Sequence, residues 1–234
     1  MESNPIKTME IPSNLDNFKF DKVTISFKNK DKWYHKKSAK FIVTTGAIGV
    51  GKTTWNVMLA KYLRDKGFKV FLSNEIPLMD KEFLNLFYCD IQKYSFAFQL
   101  NIIHKFNNEM LKLYYKKHEY DYIIFDRTHF DTKIFTSNNI NDEKELSVLE
   151  NIFENNIFKS YELFDYIFYL KPSKDTMIKR QEKRNRQSEK NVDRQYLIEI
   201  YDKYESIIND IYPNHTVIEN ENGFNYNNTF KQYF

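Results

Sequence analysis

Phe41-Ile42-Val43-Thr44-Thr45-Gly46-Ala47-Ile48-Gly49-Val50-Gly51-Lys52-Thr53-Thr54 is the stretch that decides the fold. An apolar, β-branched run gives way to a glycine-rich turn, which opens directly into a segment with helical patterning. From Gly46 to Thr53 the turn fits G-x-x-x-x-G-K-[ST]. The chain holds only five glycines, and three of them fall at 46, 49 and 51. Glycine permits the positive φ angles through which successive backbone N–H groups converge on one phosphate. The helix beginning near Lys52 adds its N-terminal partial charge. In such a loop the lysine (Lys52) reaches the β- and γ-phosphates of ATP and the hydroxyl of Thr53 ligates Mg²⁺. A plain glycine turn between strand and helix has no need of Lys-Thr at its end. Gly46, Ala47, Ile48, Gly49, Val50, Gly51, Lys52, Thr53 and Thr54 are therefore expected to bind phosphate.

Outward from this loop, short apolar runs alternate with helical patterns. Residues 41–44, 69–72, 122–125, 166–170 and 216–218 read as strands. Residues 52–66, 81–116 (as one helix or two), 141–159, 174–184 and 194–211 read as helices. Parallel strands need long crossovers, so this alternation predicts an α/β fold: a five-stranded parallel sheet with helices on both faces. Residues 1–39 are polar and read as an N-terminal extension, with an edge strand at 22–27; residues 40–234 form the main domain. Ligands of such sheets bind beyond the carboxyl ends of the strands.

The bulk properties bound the partners. The chain has 234 residues, 41% of them hydrophobic and 29% charged, which suits a soluble globular protein rather than a disordered one. No run approaches the roughly 18 apolar residues needed to cross a bilayer, so no membrane partner is expected. The first thirty residues lack an apolar segment and carry Glu2, Glu10, Asp16 and Asp21, which argues against a secretory or transit signal and makes the cytoplasm the expected location. The lone Cys89 excludes an internal disulfide and a multi-cysteine zinc site, and reads as a small buried apolar residue. A net charge of +3 is too small to argue for nucleic acid. The positive charge is uneven, however: residues 171–194 hold nine Lys and Arg against four acids.

The residues that follow the strands carry the rest of the chemistry. The third strand ends Phe125-Asp126-Arg127-Thr128, and an apolar run ending in Asp supplies the carboxylate that holds Mg²⁺ or its water in phosphate-loop sites. The alternative for Asp126 is a helix N-cap. Arg127 beside it faces the ligand crevice. The second strand ends Leu72-Ser73-Asn74-Glu75, and Glu75 is the candidate base for an acceptor hydroxyl, the alternative being a solvated loop carboxylate. Arg180 and Arg184 lie four apart on one helix face, and arginines there can steady charge on a transferring phosphoryl group as a lid closes. The alternative is a solvated charged face.

Taken together, these residues resemble the deoxynucleoside kinase family, over roughly residues 41–206. The resemblance rests on Asn74-Glu75-Ile76-Pro77, Phe87-Tyr88, Phe98-Gln99, Asp126-Arg127-Thr128, the arginines at 180, 184 and 186 with Glu189, and Tyr201-Asp202-Lys203-Tyr204-Glu205-Ser206. It implies a phosphate-loop kinase fold with an Arg-rich lid (Arg180, Arg184, Arg186), and transfer of the ATP γ-phosphoryl group to the 5′-hydroxyl of a deoxynucleoside in nucleotide salvage. It also implies Glu75 as base with Arg127 beside it, Lys52 on the phosphates, and Thr53 with Asp126 for Mg²⁺. Tyr88 and Glu189 would bind the 3′-hydroxyl, Gln99 the base edge, and Phe98 or Phe130 the base faces. A homodimer is the family's usual state.

Two departures stand out. Purine- and cytidine-preferring members carry an Arg–Asp pair at positions that by ungapped count are Phe106 and Thr132 here, with Asp131 one residue away. The missing pair leans towards pyrimidine substrates, though a bulky Phe106 could equally reshape the pocket. Ile76 also separates Glu75 from Pro77, which the family has adjacent. Two other readings share parts of this pattern: a nucleoside monophosphate kinase of the thymidylate kinase type, and a non-catalytic nucleotide-binding relative.

Overall fold

The computed structural model describes residues 39–184, 192–221 and 224–234. The extension and edge strand expected before residue 39 lie outside the described residues. All described residues belong to one unit, Lys36–Phe234.

Five strands form one sheet: β1 (Lys40–Thr45), β2 (Val70–Leu72), β3 (Tyr122–Asp126), β4 (Tyr166–Leu170) and β5 (Thr216–Ile218). Every pairing is parallel and the order is β2-β3-β1-β4-β5. The central β1 and β3 are buried almost throughout, which is why they read as unbroken apolar runs rather than alternating ones. Their register pairs Thr44 with Asp126, so the phosphate loop and the Asp126-Arg127 step leave the sheet side by side.

Helices α1 (Lys52–Asp65), α2 (Lys81–Cys89), α3 (Ile91–Lys116), α4 (Thr132–Asn139), α5 (Glu143–Glu154), α6 (Lys174–Arg184), α7 (Arg194–Ile211) and α8 (Tyr226–Tyr233) complete the described elements. Successive strand residues point to opposite faces. In β4, Phe168 meets Trp55 of α1, and the next residue, Tyr169, stacks on Tyr204 of α7. Helices therefore cover both faces, as the alternating pattern predicts. Trp55 is fully buried and also packs against Phe230 of α8, so truncating it to alanine would cost about 3–5 kcal/mol.

The helical stretch at 81–116 divides at Asp90, whose carboxylate accepts the Lys93 N–H at 3.0 Å and caps α3. Sequence patterning misses α4 and α8 and extends α5 too far. Both missed helices are short and rich in Thr, Ser or Asn, residues of weak helix propensity. They form because Ile134 and Phe230 are fully buried. Cys89 is exposed, contrary to expectation: it ends α2, beyond the stripe that buries Leu84 and Phe87. No helix among the described residues is long and apolar enough to cross a membrane.

Candidate active site

Gly46, Gly49 and Gly51 carry the turn from β1 to α1 with φ of 137°, 85° and 98°. A Cβ at Gly46 would lie 2.7 Å from the Leu170 carbonyl oxygen, and one at Gly49 2.9 Å from that of Met177. The glycines at these two positions thus have a steric cause. Lys52 is buried and donates to the carbonyls of Gly46 (3.0 Å) and Ala47 (2.8 Å). Burial, aided by the charge of Arg127, lowers its pKa to about 8. The Thr53 hydroxyl donates to Asp126 Oδ2 at 3.0 Å, while Asp126 Oδ1 is buried with no partner among the described residues. Burial, aided by the charge of Glu75, raises the Asp126 pKa to about 6. An orphaned carboxylate oxygen beside a threonine hydroxyl is a hard-oxygen pair that suits Mg²⁺ bound chiefly by phosphates and water.

Arg127 is the only non-glycine residue with positive φ (65°) among the described residues. Its N–H donates to Thr44 O (2.9 Å), and its Nη2 donates to Gly46 O (3.0 Å). Burial works against its charge, but Glu75, Asp131 and Asp126 around it keep its pKa above the ordinary guanidinium value. Glu75 follows β2 and pairs with Arg127 at 3.8 Å through one oxygen and with Arg184 at 3.7 Å through the other.

These groups share one cavity of about 730 Å³, its solvent-open mouth included. Ile48 and Lys52 of the loop, Glu75, Tyr88, Phe98, Gln99, Asp126, Arg127 and Arg184 line it together. Gln99 is 2% exposed, and Phe98 stacks on Phe87 at 4.5 Å. A nucleoside-sized ligand suits this volume and its mostly apolar wall with a few polar groups.

Not every expected residue takes part. Phe130 is absent from the cavity lining; it packs against His129 and Tyr212 in the core. Thr128 caps the 3-10 turn His129–Asp131 through the Phe130 N–H, and that turn directs the ring away from the cavity. Phe135 of α4 stands in the wall instead, with the Arg127 guanidinium 5.3 Å from its ring centre. Phe106 likewise lies outside the lining, packed on Phe125 and His129, so it does not reshape the pocket; Thr132 does line it. Arg180 grips the phosphate loop from outside, donating to Val50 O (3.0 Å) and Asn220 O (2.5 Å). Arg186 and Glu189 lie outside the described residues.

Two further residues escape the sequence reading. Asn220, just past β5, donates to Val50 O at 2.8 Å and so braces the phosphate loop. Pro77 is the second residue of the 3-10 turn Ile76–Met79 and lines the cavity beside Glu75, and the inserted Ile76, which begins that turn, is buried and lines the cavity with it. The position of Asn220 two residues after a strand was the available signal.

A five-stranded parallel sheet, a phosphate loop after its central strand and a carboxylate-bearing cavity at the same edge define a phosphate-loop phosphotransferase. The deoxynucleoside kinase family model matches residues 42–232, and the chain belongs to that family. Deoxyadenosine kinase of Dictyostelium discoideum is 26% identical over 174 residues, which cover 73% of this chain and 67% of that protein. Deoxyguanosine kinase of Bacillus subtilis (strain 168) is 28% identical over 177 residues, 73% and 79% of the two chains. Among solved structures, deoxyadenosine kinase from M. mycoides with bound dATP superimposes with a TM-score of 0.66 at 21% identity, covering 82% of this chain and 96% of that one. That last likeness concerns the fold.

Proposed function

We propose that this deoxynucleoside kinase transfers the γ-phosphoryl group of ATP to the 5′-hydroxyl of a deoxynucleoside bound in the cavity. The observation that carries the reading is the Glu75 carboxylate, held between Arg127 and Arg184 in the cavity that Lys52 and the phosphate loop also line. Glu75 takes the proton of the 5′-hydroxyl, and Arg127 orients both the carboxylate and the hydroxyl. Gln99 hydrogen-bonds the edge of the base while Phe98 and Phe135 pack on it, and Tyr88 meets the sugar. Lys52 and the loop N–H groups hold the β- and γ-phosphates, and Arg184 steadies charge on the group in transit. Thr53 and Asp126 would hold Mg²⁺, which supplies charge neutralisation between the phosphates. Positioning and electrostatics carry the rate, with little covalent work by the protein.

Base preference is pulled two ways. The missing Arg–Asp pair favours a pyrimidine, whereas the relatives above are named for deoxyadenosine and deoxyguanosine. A cytoplasmic homodimer feeding nucleotide salvage completes the reading, and sedimentation of the purified protein tests the dimer. The decisive assay is a turnover panel with Mg·ATP and thymidine, deoxycytidine, deoxyadenosine, deoxyguanosine and thymidine monophosphate. A monophosphate made from at least one nucleoside is expected. Phosphorylation of thymidine monophosphate alone would replace this reading with a monophosphate kinase, and no turnover at all would leave a nucleotide-binding protein.

A further inference from the structure

Asp131 is a buried carboxylate for which the transfer chemistry has no use, yet it is bonded to four separate groups. Its Oδ1 accepts from the Thr45 hydroxyl and from the Tyr204 hydroxyl at 2.8 Å. Its Oδ2 accepts from the Tyr212 hydroxyl at 2.8 Å and from the Thr128 N–H at 3.0 Å. The Tyr212 proton goes to Asp131, so the Thr128 hydroxyl, 2.7 Å from Tyr212, donates its own to that tyrosine. The Thr128 oxygen then accepts the Phe130 N–H at 3.0 Å, and the chain of donors closes on the carboxylate. A carboxylate has about four acceptor sites, and all are taken. Although Asp131 touches the cavity wall, it has no acceptor left for a nucleobase.

The four donors are informative by location. Thr45 ends β1 and precedes Gly46, whose carbonyl receives both Lys52 and Arg127. Thr128 follows Arg127, whose left-handed backbone (φ 65°) is disfavoured for any residue with a side chain and persists only where its surroundings impose it. Tyr204 belongs to α7, and Tyr212 follows the end of that helix. Asp131 thus fastens the residue before the phosphate loop, the residue after Arg127, and a helix from the far end of the chain.

We propose that Asp131 is a positioning residue for phosphoryl transfer, whose four bonds lock the Arg127 turn against the entry of the phosphate loop so that the guanidinium meets Glu75 in register. The inference rests on the role proposed above for Arg127. A misplacement near 1 Å costs about 10²-fold in rate, so loosening this lock is expressed in turnover.

The test compares Asp131→Asn, Tyr204→Phe, Arg127→Lys and the double variant Asp131→Asn/Arg127→Lys across the nucleoside panel, with thermal melting in parallel. Asp131→Asn is expected to lower kcat by about 10–100-fold while nucleoside KM moves less than about threefold, with the ratios among bases unchanged. Tyr204→Phe removes one donor and leaves the carboxylate, and should lower kcat by about three- to tenfold; it carries the test alone if the asparagine variant does not fold. In the Arg127→Lys background, Asp131→Asn should cost less than about threefold more, since both act through one guanidinium. Lower melting with kcat within twofold of wild type in both Tyr204→Phe and Asp131→Asn would make the network merely structural and overturn the proposal. An altered ratio among bases would make Asp131 a base reader and overturn it too. Full turnover in Arg127→Lys would remove the role of Arg127 and this inference with it. Loss there, with none in the Asp131 and Tyr204 variants, would remove this inference alone.

Discussion

The two halves of the cavity are built in opposite ways. The phosphate-binding half is one contiguous turn, Gly46 to Thr53, and most of what it offers is backbone: N–H groups aimed by three positive-φ glycines. The half proposed to hold the acceptor is assembled from side chains on separate elements, with Glu75 after β2, Tyr88 on α2, Phe98 and Gln99 on α3, Arg127 after β3 and Phe135 on α4. A contiguous backbone site tolerates little change in sequence, because a Cβ at Gly46 or Gly49 collides with a neighbouring carbonyl. A convergent side-chain site can change its substrate by altering one wall. On the proposed reading, binding of the donor is therefore tied to the fold itself, while choice of acceptor depends on individual residues.

Substitutions can break that contrast. The largest effect belongs to Glu75→Gln, which removes the proposed base and leaves the phosphate loop intact. Turnover should fall by about 10²–10⁴-fold with the affinity for Mg·ATP preserved, as single-turnover kinetics and nucleotide titration would report. Lys52→Ala strikes the other half. A loss of about 10²–10³-fold in kcat is expected, since the contact proposed between Lys52 and the transferring phosphates disappears, and unaltered kinetics would undo the loop assignment.

Gln99→Ala sharpens the contrast from the acceptor side. Its kcat/KM for the nucleoside should drop by about tenfold, in line with one lost hydrogen bond of roughly 1.5 kcal/mol, while KM for ATP stays constant. A rise in the ATP KM instead would mean the two halves are not separable.

The last effect concerns stability and not turnover. His129 is fully buried among Phe106, Phe130 and Phe153, and burial, with Lys133 nearby, lowers its pKa to about 3. The unfolded chain takes up this proton near pH 6.5 and the folded protein does not. The contribution of the neutral ring is therefore complete above pH 6.5 and is lost as the pH falls towards 3. The slope is about 1.4 kcal/mol per pH unit. Urea melts between pH 7 and 4.5 should show that slope reduced in His129→Phe, and identical slopes would place the acid sensitivity elsewhere.

The same contrast explains what could be read from the sequence. A contiguous site is written in consecutive letters, so the phosphate loop and the Asp126-Arg127 step were legible from an apolar run, three glycines and a strand-ending acid, whereas the pairing of β1 with β3 emerges only in the folded sheet. Glu75 was legible as a lining residue from its place after a strand, and Gln99 only once the family pattern fixed its spacing. The direction of a ring was not: Phe130 and Phe135 are five residues apart, and only the Thr128–Asp131 capping box, a contact of side chain with backbone, decides which one faces the cavity. Whether Phe106 enters the pocket is left open by the sequence for a similar reason, since counting residues along α3 does not reveal which side packs on Phe125. The helices α4 and α8 exist through tertiary burial of Ile134 and Phe230 against weak local propensity, and local patterning cannot supply that information.

The central claim is that the two halves form one transferase, and the most direct measurement follows ADP and nucleoside monophosphate together in one reaction of purified protein with Mg·ATP, with and without a deoxynucleoside. The account predicts that ADP accumulates only when the deoxynucleoside is present, with one 5′-monophosphate formed for each ADP. ADP released at the same rate without a nucleoside, or no nucleoside monophosphate beside it, would contradict it.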